Sequence, residues 1–433
     1  MARRALGRRF GWLWAAYAVS AYGSGLGFGA FPLIAVLVLH AGPVQVSALS
    51  AVGPAVGALL ALPLAPWAEF HRKRPVMIGM DLARFAAMAT IPAAYALGVL
   101  SFAQLLVVSA VIATAKILFN AAGGAYLKAL VKPEDLLVAN ARFESTNWSS
   151  IAVGPPLGGA AIGLFGPVTT VIADALSYLL SALGITAIRE REPAPPQRAG
   201  QGGRGGIRAA ELLDGWRHLL TQPGLRAFYL NNMFVGGLIM ATEPLLAVRL
   251  LRQLGFPPWQ YGLAFAVPCI GGFVGSRLAR RVVARYGQQR VLRTAGALRA
   301  VWLIGLAFIR PGVIGLATVI AVELAIIIGM SLYSPVLATY RLEHTPRQLV
   351  SRTLSAWSIG QQAAIALCTA LGGLLAAATT PHTALTVCGL LILASPLLLP
   401  GRERIAAQAA GQPDRGPGPA ETDPPARDRV TAG

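Results

Sequence analysis

Residues Phe10–Ala68 read FGWLWAAYAVSAYGSGLGFGAFPLIAVLVLHAGPVQVSALSAVGPAVGALLALPLAPWA and carry no Lys, Arg, Asp or Glu. A helix needs about 20 residues to cross the hydrocarbon core of a bilayer. These 59 residues therefore hold two crossings, turning at His40-Ala-Gly-Pro43. The stretch is too long for a cleaved signal peptide and leads into more runs of its kind. Phe85–Ala115 adds 31 charge-free residues, and Thr353–Gly401 adds 49, again a helical pair.

Composition agrees with that reading. Of 433 residues, 55% are apolar and 13% charged, a balance that a soluble globule with its polar surface seldom has. The net charge of +19 would suggest a nucleic-acid partner in a soluble chain, but the basic residues here lie between apolar runs, so no nucleic acid is expected. Cys269, Cys368 and Cys388 each sit inside an apolar run and offer neither a disulfide framework nor a metal cluster. No Walker loop, dinucleotide fingerprint or His-Glu-x-x-His helix occurs, so no cofactor, metal or enzymatic activity is expected.

With Gly, Pro and charge clusters as punctuation, the chain divides into twelve spans. They are 11–39, 45–66, 75–98, 101–126, 139–164 and 167–188, then 226–249, 258–281, 289–309, 312–337, 350–377 and 382–400. The fold class is an all-α membrane protein of two six-helix pseudo-repeats. Residues 1–188 form the first bundle and 226–404 the second. Residues 189–225 form a cytoplasmic linker, rich in Pro, Gly and Arg at first, then carrying an amphipathic helix over Ile207–Leu220 suited to the membrane surface. The tail, 405–433, is expected to be disordered.

Lys and Arg are retained on the cytoplasmic side of a membrane. One set of loops holds Arg3, Arg4, Arg8, Arg9, Arg72, Lys73, Arg74, Lys128, Lys132, Arg189, Arg191, Arg280, Arg281, Arg285, Arg290, Arg341 and Arg347; the alternate loops hold only Arg249, Arg252 and Arg310. Both termini and the linker are therefore expected in the cytoplasm, in a bacterial plasma membrane. The halves also resemble each other: Arg74 answers Arg290 at an offset of 216, Pro133 answers Pro346 at 213, and Gly158-Gly159 answers Gly372-Gly373 at 214. Parallel duplicated halves with a site between them near the midplane describe a secondary transporter.

On the fifth span, Ser150-Ile-Ala-Val-Gly154-Pro155-Pro-Leu-Gly158-Gly159 matches the antiporter motif of drug exporters at the Gly-Pro and Gly-Gly positions, with Ser150 where that motif has Gly. The chain resembles the major facilitator superfamily over about residues 10 to 400, in its branch of macrolide-efflux and enterobactin-exporter proteins. Gly154 and Gly158 lie on one helix face, where a neighbouring helix can approach closely, and Pro155 frees a carbonyl and permits bending. A second family motif, the gating loop after the second span, is half present: Glu69 stands where Asp is usual and Arg72, Lys73 and Arg74 keep the basic cluster, but Ala65 and Arg72 replace its glycines. The resemblance implies a cytoplasmic gate in which this carboxylate and these cations hold the face closed, with Asp81 and Arg84 in the same ion-pair network.

Charges inside spans are functional by default, because an Asp, Lys or Arg at a helix centre costs about 2.5 to 3.5 kcal/mol. Glu323 lies about 16 Å into the tenth span. Glu243 precedes Pro244 in the seventh, Asp174 lies in the outer half of the sixth and Lys116 in the inner half of the fourth. Glu144, near the start of the fifth, is assigned a structural role. A carboxyl group in low dielectric can carry a proton through the cycle and release it when the site rewets. Glu323 leads, then Glu243 and Asp174, with Lys116 as counter-charge or contact for a substrate anion. Trp12, Trp14, Tyr17, Tyr22, Trp148 and Tyr178 are candidates for the wall of a cavity that takes an amphiphile. The expected protein is a monomeric exporter of an amphiphilic small molecule, drug, macrolide-like or siderophore-like, exchanging it for protons within membrane lipid. Proton-coupled nutrient uptake and a non-transporting scaffold or receptor remain open at this point.

Overall fold

The computed structural model describes residues 6–69, 71–132, 135–188, 209–346 and 349–399, and within the helices the side chains of Glu69, Glu144, Trp148 and Pro155 lie outside what it describes. The first part of the expected linker, 189–208, and the tail from 405 onward also fall outside the described residues. Among the described residues all regular structure is helical, with no strand. The first set of helices comprises α1 (Gly7–Leu26), α2 (Ala30–Leu37), α3 (Pro43–Glu69), α4 (Lys73–Ala96), α5 (Phe102–Leu130), α6 (Leu136–Phe165) and α7 (Pro167–Thr186). After α8 (Ala209–Thr221), the second set comprises α9 (Pro223–Val248), α10 (Pro258–Ala266), α11 (Cys269–Tyr286), α12 (Gln288–Val301), α13 (Val313–Glu343), α14 (Val350–Ala378) and α15 (Pro381–Leu393).

The boundaries follow local chemistry. Pro opens α7, α9, α10 and α15 at a position whose N–H has no helical partner, and Ser101 and Thr380 cap α5 and α15 through their side chains. Gly166, at φ +83°, makes the reversal from α6 to α7 in a conformation that other residues resist. The first span is broken: α1 stops at Leu26 and α2 starts after Gly29, at φ +76°. Helix α9 continues through Pro244 and ends in one π-helical turn, Arg249–Gln253.

Ten helical stretches are long and apolar enough to cross a membrane among the described residues. The fifth and eighth expected spans are not among them. Helix α6 is 30 residues long but has a charged and polar run from Arg142 to Ser150, and the eighth span is divided at Val267–Pro268 into α10 and the arginine-rich α11.

The helix ends joined by Arg- and Lys-rich loops form a basic end; the others form a far end. Three apolar clusters show how the two sets meet. The largest runs through both sets at the far end, from Leu33, Ile34, Val46 and Ile91 to Leu245, Tyr261, Leu306 and Leu385. Toward the basic end the cores separate, one around Phe10, Met77, Phe119 and Ile185 of the first set, another around Phe228, Leu292, Tyr333 and Trp357 of the second. Helix α3 packs on α14 and α6 on α10, while α6 barely touches α11.

Two of the three arginines that break the charge asymmetry close helix ends at the far side. Arg249 donates to the Ile309 carbonyl at 3.3 Å, and Arg252 of the second set donates to the His40 and Ala41 carbonyls of the first at 3.2 and 2.9 Å. Cations are favourable at such carbonyl-rich helix ends.

Helix α8 has a partner within the chain. It docks on the second set: Leu219 is buried, the Trp216 indole donates to Tyr229 Oη at 3.3 Å, and Asp214 pairs with Arg352 at 3.1 Å. Gly215 permits this, because a Cβ there would lie 2.7 Å from the Arg352 carbonyl carbon.

Candidate functional site

The antiporter-motif helix rests on the broken first span. A Cβ on Gly154 would lie 2.5 Å from the Cα of Gly25, and one on Gly158 would strike the Leu26 carbonyl. The next residue, Gly159, faces across to the second set, where a Cβ would lie 2.5 Å from the Cα of Gly262. Small residues thus serve two contacts on one helix, one within the first set and one between sets. Ser150, at the Gly position of the motif, is buried, and its hydroxyl bonds back to the Asn147 carbonyl at 2.8 Å.

Asp174 lies against the break. Its carboxylate accepts from Ser24 Oγ at 3.3 Å and Ser177 Oγ at 3.4 Å, and Ser24 shares a further hydrogen bond with Tyr178 Oη at 2.9 Å. Asp81 and Arg84, one turn apart on α4, form a buried ion pair in this region. The Arg84 guanidinium is held between the rings of Tyr178 and Phe119, 4.5 and 4.6 Å from their centroids. The sequence reading joined Asp81 and Arg84 to the cytoplasmic gate; the structure turns both inward into the Asp174 cluster. Their closeness to a span's start concealed that they face inward from α4. Tyr178, expected on a cavity wall, is likewise buried beneath Arg84, whereas Trp12, Trp14 and Tyr22 are exposed.

Lys116 on α5 is different. It feels the charges of Arg84 and Asp174, so its head group faces the interior of the first set. Yet the side chain is exposed and makes no hydrogen bond or ion pair among the described residues.

Among the gate residues, Arg74 donates to the carbonyls of Ile185 and Thr186 at 3.1 and 2.6 Å, closing the end of α7, and Lys73 donates to the His71 carbonyl at 2.7 Å. Arg72 is exposed just before α4, and the expected partner carboxylate, Glu69, lies outside the described side chains.

In the second set the two leading acids share a neighbour. Glu323 of α13 lies within the electrostatic reach of Glu243 of α9, and both carboxyl groups act on the hydroxyl of the buried Tyr261 of α10. Neither carboxylate has a hydrogen bond or ion pair among the described residues; Glu323 is buried and Glu243 half-buried. Tyr261 ties the pair to the junction of the sets, since its ring meets Gly29 at the break of the first span and its neighbour Gly262 meets Gly159. The first-set cluster balances two acids, Asp81 and Asp174, with two bases, Arg84 and Lys116. The second-set pair has no basic group beside it among the described residues.

One interior charge escaped the sequence reading. Arg299 of α12 is fully buried, donates to Asn231 Oδ1 at 2.8 Å, and lies 3.8 Å over the Tyr333 ring. The repeat contained the signal: Arg299 stands 215 residues after Arg84, within the offsets found for other paired features, and each arginine stacks on an aromatic ring. At the place of Asp81 the second half has Gly296, so amide oxygens take over from a carboxylate.

Comparison with known proteins fits this architecture. The family model of the Major Facilitator Superfamily matches residues 13–330 and 244–427. The multidrug efflux pump Tap of Mycolicibacterium fortuitum is 27% identical over 267 residues, which is 61% of this chain and 61% of that protein. The match thus spans about three fifths of the relative's length. A variant of the nucleoside transporter NupG aligns with a TM-score of 0.73 at 9% identity, covering 90% of this chain and 98% of that one. A bacterial homologue of the iron transporter ferroportin in its inward-facing state gives 0.70 at 17% identity, covering 91% and 100%. Such distant likenesses establish the fold. Together with the ten apolar helices, the family match shows that the chain belongs to the Major Facilitator Superfamily, as a multi-pass membrane transporter and not an enzyme.

Proposed function

We propose that the chain exports an amphiphilic small molecule from the cytoplasm by alternating access, in exchange for protons. It crosses the bacterial plasma membrane twelve times, as two six-helix halves, with the basic end and both termini in the cytoplasm. The observation that carries this reading is the Glu243–Glu323 pair, two carboxyl groups without a basic neighbour, beside the junction of the halves. Two adjacent carboxylates in a low-dielectric interior repel, so binding a proton or a cation there relieves a cost that a balanced cluster such as Asp81–Arg84–Lys116–Asp174 does not have. The coupling role therefore falls to Glu323 and Glu243 ahead of Asp174.

The efflux relative and the Gly154-Pro155 helix support export over uptake. Joined far ends with separate cores at the basic end correspond to a state that loads from the cytoplasm, and the Gly159–Gly262 contact is where it closes. The test uses everted membrane vesicles, in which an exporter accumulates substrate. Energised vesicles are expected to take up an amphiphilic fluorescent dye, with uptake abolished by an uncoupler and by Glu323→Gln. Dye uptake by right-side-out vesicles instead would establish import.

A further inference from the structure

The two seams between the halves close to different depths. Along the first, α3 meets α14: Gly373 lies on Ser47 near the far end, and a Cβ on Gly57 would come within 2.8 Å of Gln362 Nε2. At ~1.5 Å of rise per residue, Gly57 is about 21 Å from the far end of α3. Along the second, α6 meets α10: a Cβ on Gly163 would lie 3.0 Å from Trp259 Cβ, and Gly159 meets Gly262. Gly159 is only about 9 Å from the far end of α6. Below it, among the described residues, α6 barely touches α11.

The local sequence of the eighth span explains the difference. Pro268 has no N–H to donate, and the turn tightens there: Ile270 and Gly271 donate three residues back, to the carbonyls of Val267 and Pro268, at 3.2 and 2.8 Å. Past this break α11 leans on α13, where a Cβ on Gly271 would lie 3.2 Å from the Leu324 carbonyl oxygen and one on Gly275 2.7 Å from that of Ile328. The row of α10 that carries Trp259 and Gly262 runs on at helical spacing through Ala266 to Ile270, which is 64% exposed. On α6 the row of Gly163 and Gly159 leads down to Ser145, also exposed although it stands about 14 Å inside the basic end of the helix.

We infer that the seam between α6 and α11 is a side opening, through which the transported amphiphile enters the space between the halves from the cytoplasmic leaflet without passing through water. This deepens the export reading and rests on it. An amphiphile collects in the leaflet in proportion to the apolar surface it hides there, so an exporter that loads sideways draws on the larger pool. Ile270 offers an apolar wall for the chain of such a molecule, and the Ser145 hydroxyl a partner for its polar end. The α3–α14 seam is filled by Gly57 and Gln362 at about the depth of Ile270, which leaves the opening on one side of the molecule.

The probes are the ethyl and octadecyl esters of rhodamine B, which share one cationic head; the octadecyl chain keeps its ester in the leaflet. Both are added to the outer, cytoplasmic leaflet of energised everted vesicles. The octadecyl ester is expected to become shielded from an impermeant quencher in the medium several times faster than it leaves the vesicles for acceptor liposomes, a rate that no route through water can exceed. Ile270→Asp places a charge on the opening and should lower the ratio of octadecyl to ethyl transport by at least about 10-fold. Leu367→Asp, at a similar depth on the exposed face of α14, should leave that ratio unchanged. Ethyl ester accumulation with octadecyl shielding no faster than its escape would overturn the inference while leaving export standing. So would a ratio unmoved by Ile270→Asp, or lowered equally by Leu367→Asp. Accumulation of neither ester by the unaltered protein would overturn the inference and the export reading together.

Discussion

Gly159 of α6 and Gly262 of α10 meet backbone to backbone across the two halves, so closely that a Cβ on Gly159 would lie 2.5 Å from the Gly262 Cα. The obstructing atoms are main chain and cannot rotate away. Gly159→Ala should therefore wedge the far end open by about 1 to 3 kcal/mol, the cost of overpacking a close contact. That is roughly a 5- to 150-fold change in the closed-to-open ratio. A single cysteine placed at Leu39, near this seam, should react faster in Gly159→Ala with a membrane-impermeant maleimide added from outside. An unchanged rate would show that the glycine contact does not hold the far end shut.

Arg252 provides a second hold at the same end, through its hydrogen bonds to the His40 and Ala41 carbonyls. Because Arg252 is exposed, the effect of Arg252→Ala should be smaller, about 1 kcal/mol, and should weaken with added salt. The same Leu39 cysteine should report it, with Arg252→Lys restoring part of the protection. Labelling indifferent to both substitutions would confine Arg252 to a local helix-capping role.

The paired acids should separate coupling from transport. Glu323→Gln and Glu243→Gln are each expected to abolish uphill accumulation while allowing labelled substrate to exchange with unlabelled substrate across a de-energised membrane. Loss of exchange together with accumulation would place the acid in substrate binding instead.

Buried arginines in the two halves should behave unequally. Arg84→Met leaves Asp81 buried without its partner and should cost about 3 to 5 kcal/mol, largely recovered by adding Asp81→Asn. Arg299→Met leaves no carboxylate stranded, since Gly296 occupies the corresponding position, and should cost less. Thermal unfolding in detergent measures both. Equal losses would contradict the charge balance assigned to the two halves.

Much of the fold was legible because lipid imposes a coarse rule: runs such as Phe10–Ala68 have few other uses. Finer features depend on partners distant in the chain. The break at Gly27–Gly29 was hidden because the surrounding residues are apolar on both sides, and only the packing of Asp174 and Tyr261 against these glycines accounts for it. Glu243 and Glu323, 80 residues apart, were each visible as an interior acid, but nothing in their local sequence placed them together. Asp81 and Arg84 were drawn toward the gate by their nearness to Arg74, whereas side-chain direction on α4 decides their company. Arg299 follows Arg290 and Arg293 closely in sequence and was not singled out, although the repeat offset marks it as the counterpart of Arg84. The apolar stripe of α8 was legible, but whether it would meet lipid or Trp357 and Tyr229 was not.

Proton movement during efflux tests the central proposal most directly. Everted vesicles containing the purified protein and a trapped pH indicator, with a proton gradient acid inside, should lose lumenal acidity faster when substrate is added outside. The accelerated loss should vanish in the Glu243→Gln and Glu323→Gln proteins. Substrate accumulation that proceeds at full rate with no proton efflux, or in the presence of an uncoupler, would contradict it.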